Sequence, residues 1–127
     1  MSLQENRPEG ILAVRGVAGD RIAVGAREFG RSFLLAPDTL VEDWPPAAID
    51  ALDEAAIDAI LALQPQVVIL GTGARQRFLP PALQARLLAR GVGVECMDNA
   101  AAARTYNLLA LEGRRVVAAF LLAGPGG

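Results

Sequence analysis

The sequence has neither histidine nor lysine among its 127 residues, and Cys96 is its single cysteine. Without histidine, a serine–histidine triad and imidazole-ligated zinc are excluded. Without lysine, Schiff-base chemistry and the phosphate-binding lysine of a P-loop are excluded as well. One cysteine forms neither an internal disulfide nor a thiolate metal cluster. We therefore expect no metal site, no cofactor and no catalytic residue, and a role without catalysis is favoured over an enzyme.

The sequence also lacks an excess of charge and any long apolar run. Twelve basic residues, all arginine, and fourteen acidic ones leave a net charge of −2, which argues against a nucleic-acid partner. No apolar stretch approaches the roughly 18–20 residues of a transmembrane helix, and we expect no secretory signal at the start of the chain. With 53% hydrophobic residues the chain is expected to be a soluble, cytoplasmic protein. We expect a flexible lead-in over 1–10, one α/β domain over 11–123 and a frayed tail over 124–127, and the oligomeric state stays open.

Short β-rich pieces and glycines alternate in the first part of the chain. Residues 11–14 are apolar, as are residues 21–24 after Arg21, and glycines between and after these pieces predict antiparallel hairpins. Residues 31–35 predict a third strand. Trp44 lies in the loop that follows, where so large an aromatic side chain is expected to anchor the loop to the core.

From residue 47 to residue 63 the apolar positions recur with helical spacing, which predicts one helix. Asp50, Glu54 and Asp58 repeat every fourth residue along its polar side. That stripe is interpreted as a solvated face, with an acidic docking face as the alternative.

The second half reads β-α-β-α-β. The run 66–70 is apolar from Val67 onward, which is typical of a strand buried on both faces, and a helix is predicted from Pro80 through Arg90. A strand over 92–97, a helix from Asp98 or Asn99 to about 111 and a strand over 114–122 follow. Right-handed crossovers make neighbouring strands parallel, whereas the short Glu112–Gly113 turn favours a final strand that runs back antiparallel.

Ligands of open α/β sheets collect beyond the carboxyl ends of the parallel strands. Two such ends are predicted, one at Gly71-Thr72-Gly73 and one at residues 96–99, and we expect them to border one crevice. Glycine backbone amides and a threonine hydroxyl are suited to holding an anion, and nearby arginines add charge. The spacing fits no established phosphate fingerprint, so a simple tight turn is the competing interpretation. Candidate ligand- or partner-binding residues are Gly71, Thr72, Gly73, Arg75, Asp98, Arg104, Tyr106 and Asn107, with Arg77 beside them.

Arg104 opens a run of four side chains, Arg-Thr-Tyr-Asn, in a helix that alanine and leucine could have built. It has two interpretations of equal weight, an anion or partner contact and a structural pairing with an acid such as Asp98. For Tyr106 and Asn107 a structural hydrogen-bond network is favoured, since both need partners when buried. Cys96 is expected to be buried and inert.

These motifs, taken in order, resemble a small conserved α/β family of mostly uncharacterised bacterial and archaeal proteins. The family includes mitochondrial complex I assembly factor three, an assembly protein of NADH:ubiquinone oxidoreductase. The resemblance covers about 33–122 and rests on Trp44, Gly71-Thr72-Gly73, Pro80-Pro81, Leu83, 91–95, Met97-Asp98, Ala101, 104–107 and 112–116. Two departures from the family pattern fall in the most diagnostic stretch, Asn99-Ala100 in place of Thr-Gly and Ala103 in place of a cysteine.

The resemblance implies a three-layer α/β fold with a mixed central sheet whose last strand runs against the others, and it brings no catalytic residue. It favours a binding or assembly-type protein with a protein partner, respiratory-complex subunits among the options. The alternative is a small-molecule enzyme or sensor that binds an anionic, phosphate-bearing ligand at Gly71-Thr72-Gly73.

Overall fold

The computed structural model describes residues 10–124, which form two β-sheets flanked by helices. The predicted lead-in and tail lie outside these residues, apart from Gly10 and Gly124 at their inner ends. In chain order the elements are β1 (Val14–Ala18), β2 (Arg21–Val24), β3 (Arg27–Phe29), β4 (Phe33–Ala36), β5 (Thr39–Val41), α1 (Glu54–Leu61), β6 (Val67–Gly71), α2 (Pro81–Leu88), β7 (Gly93–Met97), α3 (Asn99–Leu111) and β8 (Val116–Phe120).

The first three strands form a small antiparallel sheet of two consecutive hairpins, as the glycine spacing predicts. Gly19 and Gly25 have positive φ angles of 61° and 59° at the two turns, a conformation that glycine adopts without strain. The first strand begins at Val14 rather than at residue 11, and its pairing with β2 shifts register between Val14 and Gly16.

The other five strands form a mixed sheet in the order β5-β4-β8-β6-β7. Strands β6 and β7 are parallel, β6 and β8 are parallel, and β4 is antiparallel to both β5 and β8. All five residues of β8 are buried, in keeping with its central position.

The expectation of a last strand that runs against the others therefore holds only for its neighbour β4. Strand β8 runs parallel to β6 because α3 crosses the sheet between β7 and β8, and a crossover returns the chain in the same direction. The Glu112–Gly113 turn ends the helix, with Gly113 at φ 83°, and does not form a hairpin.

The sheet separates two cores, which gives the three-layer α/β architecture. Helices α1 and α2 cover one face, where the core includes Ile57, Ile60, Leu83 and Leu87. Helix α3 and the small antiparallel sheet cover the other face, where Tyr106 joins the core. Within residues 10–124 no helix is long and apolar enough to cross a membrane.

The single helix predicted over 47–63 is two elements. A 3₁₀ turn at Ile49–Ala51 ends in extended backbone at Leu52, and α1 starts after Asp53. The Asp53 carboxylate accepts a hydrogen bond from the Ala56 N–H at 2.9 Å, so Asp53 is the N-cap. A side chain that caps a helix start competes with continuing the helix through it, which explains the break.

The acidic stripe of α1 contacts α2. Arg86 donates two hydrogen bonds to the Asp58 carboxylate, at 3.0 and 3.1 Å, and lies 3.5 Å from Glu54. The hydrogen bond from Arg86 lowers the pKa of Asp58 below its usual value. The stripe thus helps to fix the two helices against each other, in addition to being solvated.

Candidate functional site

The carboxyl ends of β6 and β7 lie side by side, as predicted. Gly71 pairs with Met97 in the parallel register, and the next residue, Thr72, donates its N–H to the Met97 carbonyl at 2.9 Å. The segment that leaves β6 (residues 72–80, here called the crossing loop) therefore begins directly above the end of β7. The two predicted strand ends are therefore adjacent in the fold.

Gly71 is a position where only glycine fits. A Cβ atom built there would overlap Oδ1 of Asn99 and lie 3.0 Å from Cδ1 of Phe120. Asn99 is 4% exposed, and its amide donates to the Leu121 carbonyl at 3.1 Å and accepts from the Gly73 N–H at 3.2 Å. Its own N–H donates to the Gly73 carbonyl at 2.8 Å. Asn99 thus connects the ends of β6 and β8 to the start of α3.

The Thr72 hydroxyl closes the crossing loop on itself. It donates to the Arg75 carbonyl at 2.6 Å and accepts from the Arg77 N–H at 3.0 Å. The amide hydrogens of Thr72 and Gly73, which the sequence made candidates for holding an anion, are bonded to the Met97 carbonyl and to Asn99. Internal hydrogen bonds therefore occupy the donors predicted to bind an anion.

The three arginines predicted near this crevice do not converge. Arg77 turns toward the α1 side, where its guanidinium lies 3.3 Å from the Asp50 carboxylate. Arg104 is exposed on α3 and borders a hollow of about 250 Å³ beside β1, on the other side of the sheet. Arg75 is exposed in the crossing loop. Asp98 is the N-cap of α3 and accepts from the Ala101 N–H at 2.8 Å.

Tyr106 and Asn107 attach the first strand to α3. The Tyr106 side chain is fully buried, and its hydroxyl donates to the Leu12 carbonyl at 2.7 Å. Burial raises the pKa of this tyrosine well above its usual value. The Asn107 amide makes two bonds to one residue, donating to the Val14 carbonyl and accepting from the Val14 N–H, both at 2.8 Å.

Two residues of the crossing loop were not singled out from the sequence. Phe78 is 77% exposed, and the Gln76 side chain donates to the Cys96 carbonyl at 2.8 Å. Both border a groove of about 270 Å³ between this loop and β7. The available signal was a phenylalanine that follows two arginines and is separated by Leu79 from the proline pair, since an aromatic residue in a polar loop needs either a core contact or a partner. Cys96 is half-buried, and burial raises the pKa of its thiol.

A second hollow, of about 370 Å³, lies beyond the carboxyl end of β8. Arg31, Glu42, Trp44 and Leu122 are among its lining residues. Trp44 is 3% exposed and donates its indole N–H to the Ala56 carbonyl at 3.2 Å, so it anchors its loop as predicted. This hollow could not be anticipated from local sequence patterns, because its walls come from segments far apart in the chain.

Comparisons with known proteins place the chain among relatives of established structure. Residues 14–121 match a family described as "Protein of unknown function (DUF498/DUF598)". The chain is 35% identical over 105 residues to NADH dehydrogenase [ubiquinone] 1 alpha subcomplex assembly factor 3 of Bos taurus, with 81% of this chain covered. The match spans 55% of the bovine protein, so the chain is similar to little more than half of that relative.

Two solved structures extend the comparison to the whole fold. The NMR structure of a Xanthomonas campestris protein is 46% identical, covers 100% of this chain and 96% of its own, and superimposes with a TM-score of 0.84. The crystal structure of a Bordetella parapertussis protein is 40% identical, covers 88% and 96%, and has a TM-score of 0.83. The chain therefore belongs to the DUF498/DUF598 family, the family that its sequence motifs resemble.

Proposed function

We propose that this chain is a protein-binding, assembly-type member of its family, which acts without catalysis in the cytoplasm on subunits of a respiratory complex. The support for the partner class is the 35% identity to a protein named as an assembly factor of NADH dehydrogenase. The support for the surface is structural and comes from the crossing loop.

The observation that carries the proposal is Phe78, a large apolar side chain left 77% exposed on a loop that is otherwise held in place. A solitary exposed apolar residue is ordinary in a mobile loop, but here the hydroxyl of Thr72 and the amide of Gln76 fix the loop on both sides of Arg75. Aromatic side chains on rigid supports contribute strongly to protein interfaces, because little conformational entropy is lost when they are covered.

The donors expected for a small anionic ligand at Gly71-Thr72-Gly73 are used inside the protein, as described above. The loop therefore presents a fixed surface to a partner, on which Phe78 and Arg75 are exposed. This favours protein binding over the enzyme or sensor alternative.

A cross-linked pull-down from native cells, with soluble and membrane fractions combined, tests the proposal. Wild type is compared with Phe78→Ala, and Leu88→Ala is the matched control, because Leu88 is 57% exposed at the last residue of α2, at the opposite end of that helix from the crossing loop. We expect enrichment of respiratory-complex subunits by wild type and by the control, and a clear loss with Phe78→Ala. Equal capture by all three proteins would contradict the assignment of this surface, and absence of such subunits from all three would contradict the assembly role.

Arg104 is the second proposed contact, because it is exposed and borders the hollow beside β1. An Arg104→Ala variant in the same pull-down shows whether the partner also reaches α3. Both variants are first checked for an unchanged circular dichroism spectrum, so that loss of binding is not confused with loss of folding.

A further inference from the structure

Strand β7 is one of the two edges of the five-stranded sheet, since its single neighbour is β6. Gly93 and Glu95 are exposed, and the remaining residues of β7 are half-buried. An edge strand presents unpaired backbone N–H and C=O groups, which another extended chain can bind.

The hydrogen bond from the Thr72 N–H to the Met97 carbonyl shows which backbone groups of β7 face outward. In a parallel pair one residue directs both its backbone groups to the neighbouring strand and the next directs them away. The backbone N–H and C=O groups of Met97 and Glu95 therefore point toward β6, whereas those of Val94 and Cys96 point away from β6, toward the open edge. The Cys96 carbonyl fits this assignment, because it accepts its hydrogen bond from the Gln76 side chain instead of from β6.

Within residues 10–124 no loop or side-chain group is hydrogen-bonded to the backbone of Val94 or to the Cys96 N–H. Three outward groups are thus available in a row: the N–H and C=O of Val94 and the N–H of Cys96. Gln76 ends this row by occupying the Cys96 carbonyl.

The two faces of this edge differ in chemistry. The side chains of Val94 and Cys96 pack toward the α2 face, where Phe78 and Leu79 complete the apolar part of the groove of about 270 Å³. The Glu95 side chain alternates with those of Val94 and Cys96 and therefore points to the opposite face of the sheet. Of the residues that border the groove, Glu95 is the one with a charged side chain. The Arg77 guanidinium in the same loop is already paired with Asp50.

We propose that β7 accepts an extended segment of a partner protein as a sixth strand of the sheet. The segment has apolar side chains that fill the groove beside Phe78 and alternates them with a basic side chain opposite Glu95. This inference rests on the proposed protein-binding function and specifies its partner. Main-chain hydrogen bonds to Val94 and Cys96 provide the attachment, and the alternating side chains provide the selectivity.

A second copy of this chain fits the edge less well. Antiparallel pairing of two β7 strands about their midpoint sets Glu95 directly opposite its own copy, and like charges directly opposite each other are destabilising. The charge at this edge therefore favours a basic partner over self-association.

Titrating the full chain, labelled with ¹⁵N, with designed peptides tests the proposal. The probe is a capped peptide of about nine residues, a typical strand length, in which valine alternates with arginine and serine. A matched peptide carries glutamate in place of arginine, and a third carries N-methylated amides that block main-chain pairing. We expect the Val94 and Cys96 amides to shift and to exchange more slowly with solvent when the arginine peptide binds. The glutamate peptide is expected to bind about tenfold more weakly, and the N-methylated one not at all.

Two charge-reversed variants sharpen the result. Glu95→Arg should reverse the preference between the arginine and glutamate peptides, whereas Glu112→Arg, an exposed acid at the end of α3, should leave it unchanged. Val94→Pro removes an outward N–H that β6 does not use and should abolish binding. Because Glu95 is exposed, its variant keeps the test valid even if the proline variant fails to fold.

The proposal is overturned if no peptide binds up to about 1 mM, or if all three bind equally. It is also overturned if sedimentation shows a dimer that Val94→Pro abolishes, which would assign the edge to a second copy. Capture of respiratory subunits that survives both Glu95→Arg and Val94→Pro would leave the assembly role intact and refute strand addition alone.

Discussion

Replacing Asn107 by alanine tests the attachment of the small antiparallel sheet to α3. The amide of Asn107 satisfies both backbone groups of Val14 across 93 residues of sequence, and alanine removes both bonds while leaving a good helix former in place. The change acts on tertiary structure and not on the helix itself.

The expected magnitude follows from what is left behind. Val14 is 7% exposed, so its N–H and C=O would each be deprived of a partner in a largely buried place. Each such loss costs about 1–3 kcal/mol, and partial access of water favours the lower part of that range. We expect the free energy of unfolding to fall by about 2–4 kcal/mol, and Tm by roughly 10 °C for a domain of this size.

Urea unfolding followed by tryptophan fluorescence measures the change, and hydrogen exchange of the Val14 amide locates it. Arg104→Ala is the matched control on the same helix. Its side chain is exposed, so its effect should stay within about 0.5 kcal/mol. A loss below about 0.5 kcal/mol for Asn107→Ala, with the Val14 amide still protected, would refute the reasoning.

Three further predictions concern single groups. Gly71→Ala should lower the free energy of unfolding by about 2–4 kcal/mol by displacing the buried amide beneath it, whereas Gly93→Ala, which has open space, should be nearly neutral in the same urea assay. Tyr106 is the chain's one tyrosine, so tyrosinate absorbance in an alkaline titration reports it alone. Because the pKa of Tyr106 is raised in the folded state, the free energy of unfolding is unaffected by this group below the unfolded-state pKa of about 10. Above that pH it falls by about 1.4 kcal/mol per pH unit, and tyrosinate should appear only with unfolding. A gradual rise in the folded protein would contradict this. The pKa of Asp58 is lowered in the folded state, so ionised Asp58 stabilises the protein at neutral pH. This stabilisation is lost as the pH falls from the unfolded-state pKa of Asp58 toward its lower folded-state pKa. Arg86→Ala should weaken this pH dependence in urea titrations at several pH values. If the free energy of unfolding of wild type and of Arg86→Ala fell equally at acid pH, the role of the Arg86–Asp58 ion pair would be contradicted.

Local patterns in the sequence were sufficient for the elements of the second half. The apolar run before Gly71 predicts a buried strand, and Gly91, at φ 75°, predicts that α2 ends shortly before it, as it does at the C-cap Ala89. The direction of β8 was not available locally, because it depends on which neighbours the strand pairs with. The break before α1 was missed since the apolar period runs through Asp53, and a capping side chain overrides that period.

The position of the candidate site in the fold could be predicted from the sequence, but the hydrogen-bond partners of its residues could not. The strand-end rule correctly set Thr72 beside Met97. The partners of Tyr106 and Asn107 lie 94 and 93 residues away, so the sequence could indicate only that such partners exist. The open edge of β7 depends on strand order, which short-range patterns do not contain.

The central position of β8 has a consequence for how the protein is made. Among the strands of residues 10–124, β8 (116–120) leaves the ribosome last, yet it joins β4 to β6 in the middle of the sheet. Until it is available, the earlier strands form two separate pieces, each with an unpaired inner edge of apolar residues. Folding of the sheet is therefore confined to the time after Phe120 has been synthesised. A nascent chain stalled before Val116 is expected to need chaperone protection against aggregation, whereas a chain cut just after the last strand is not.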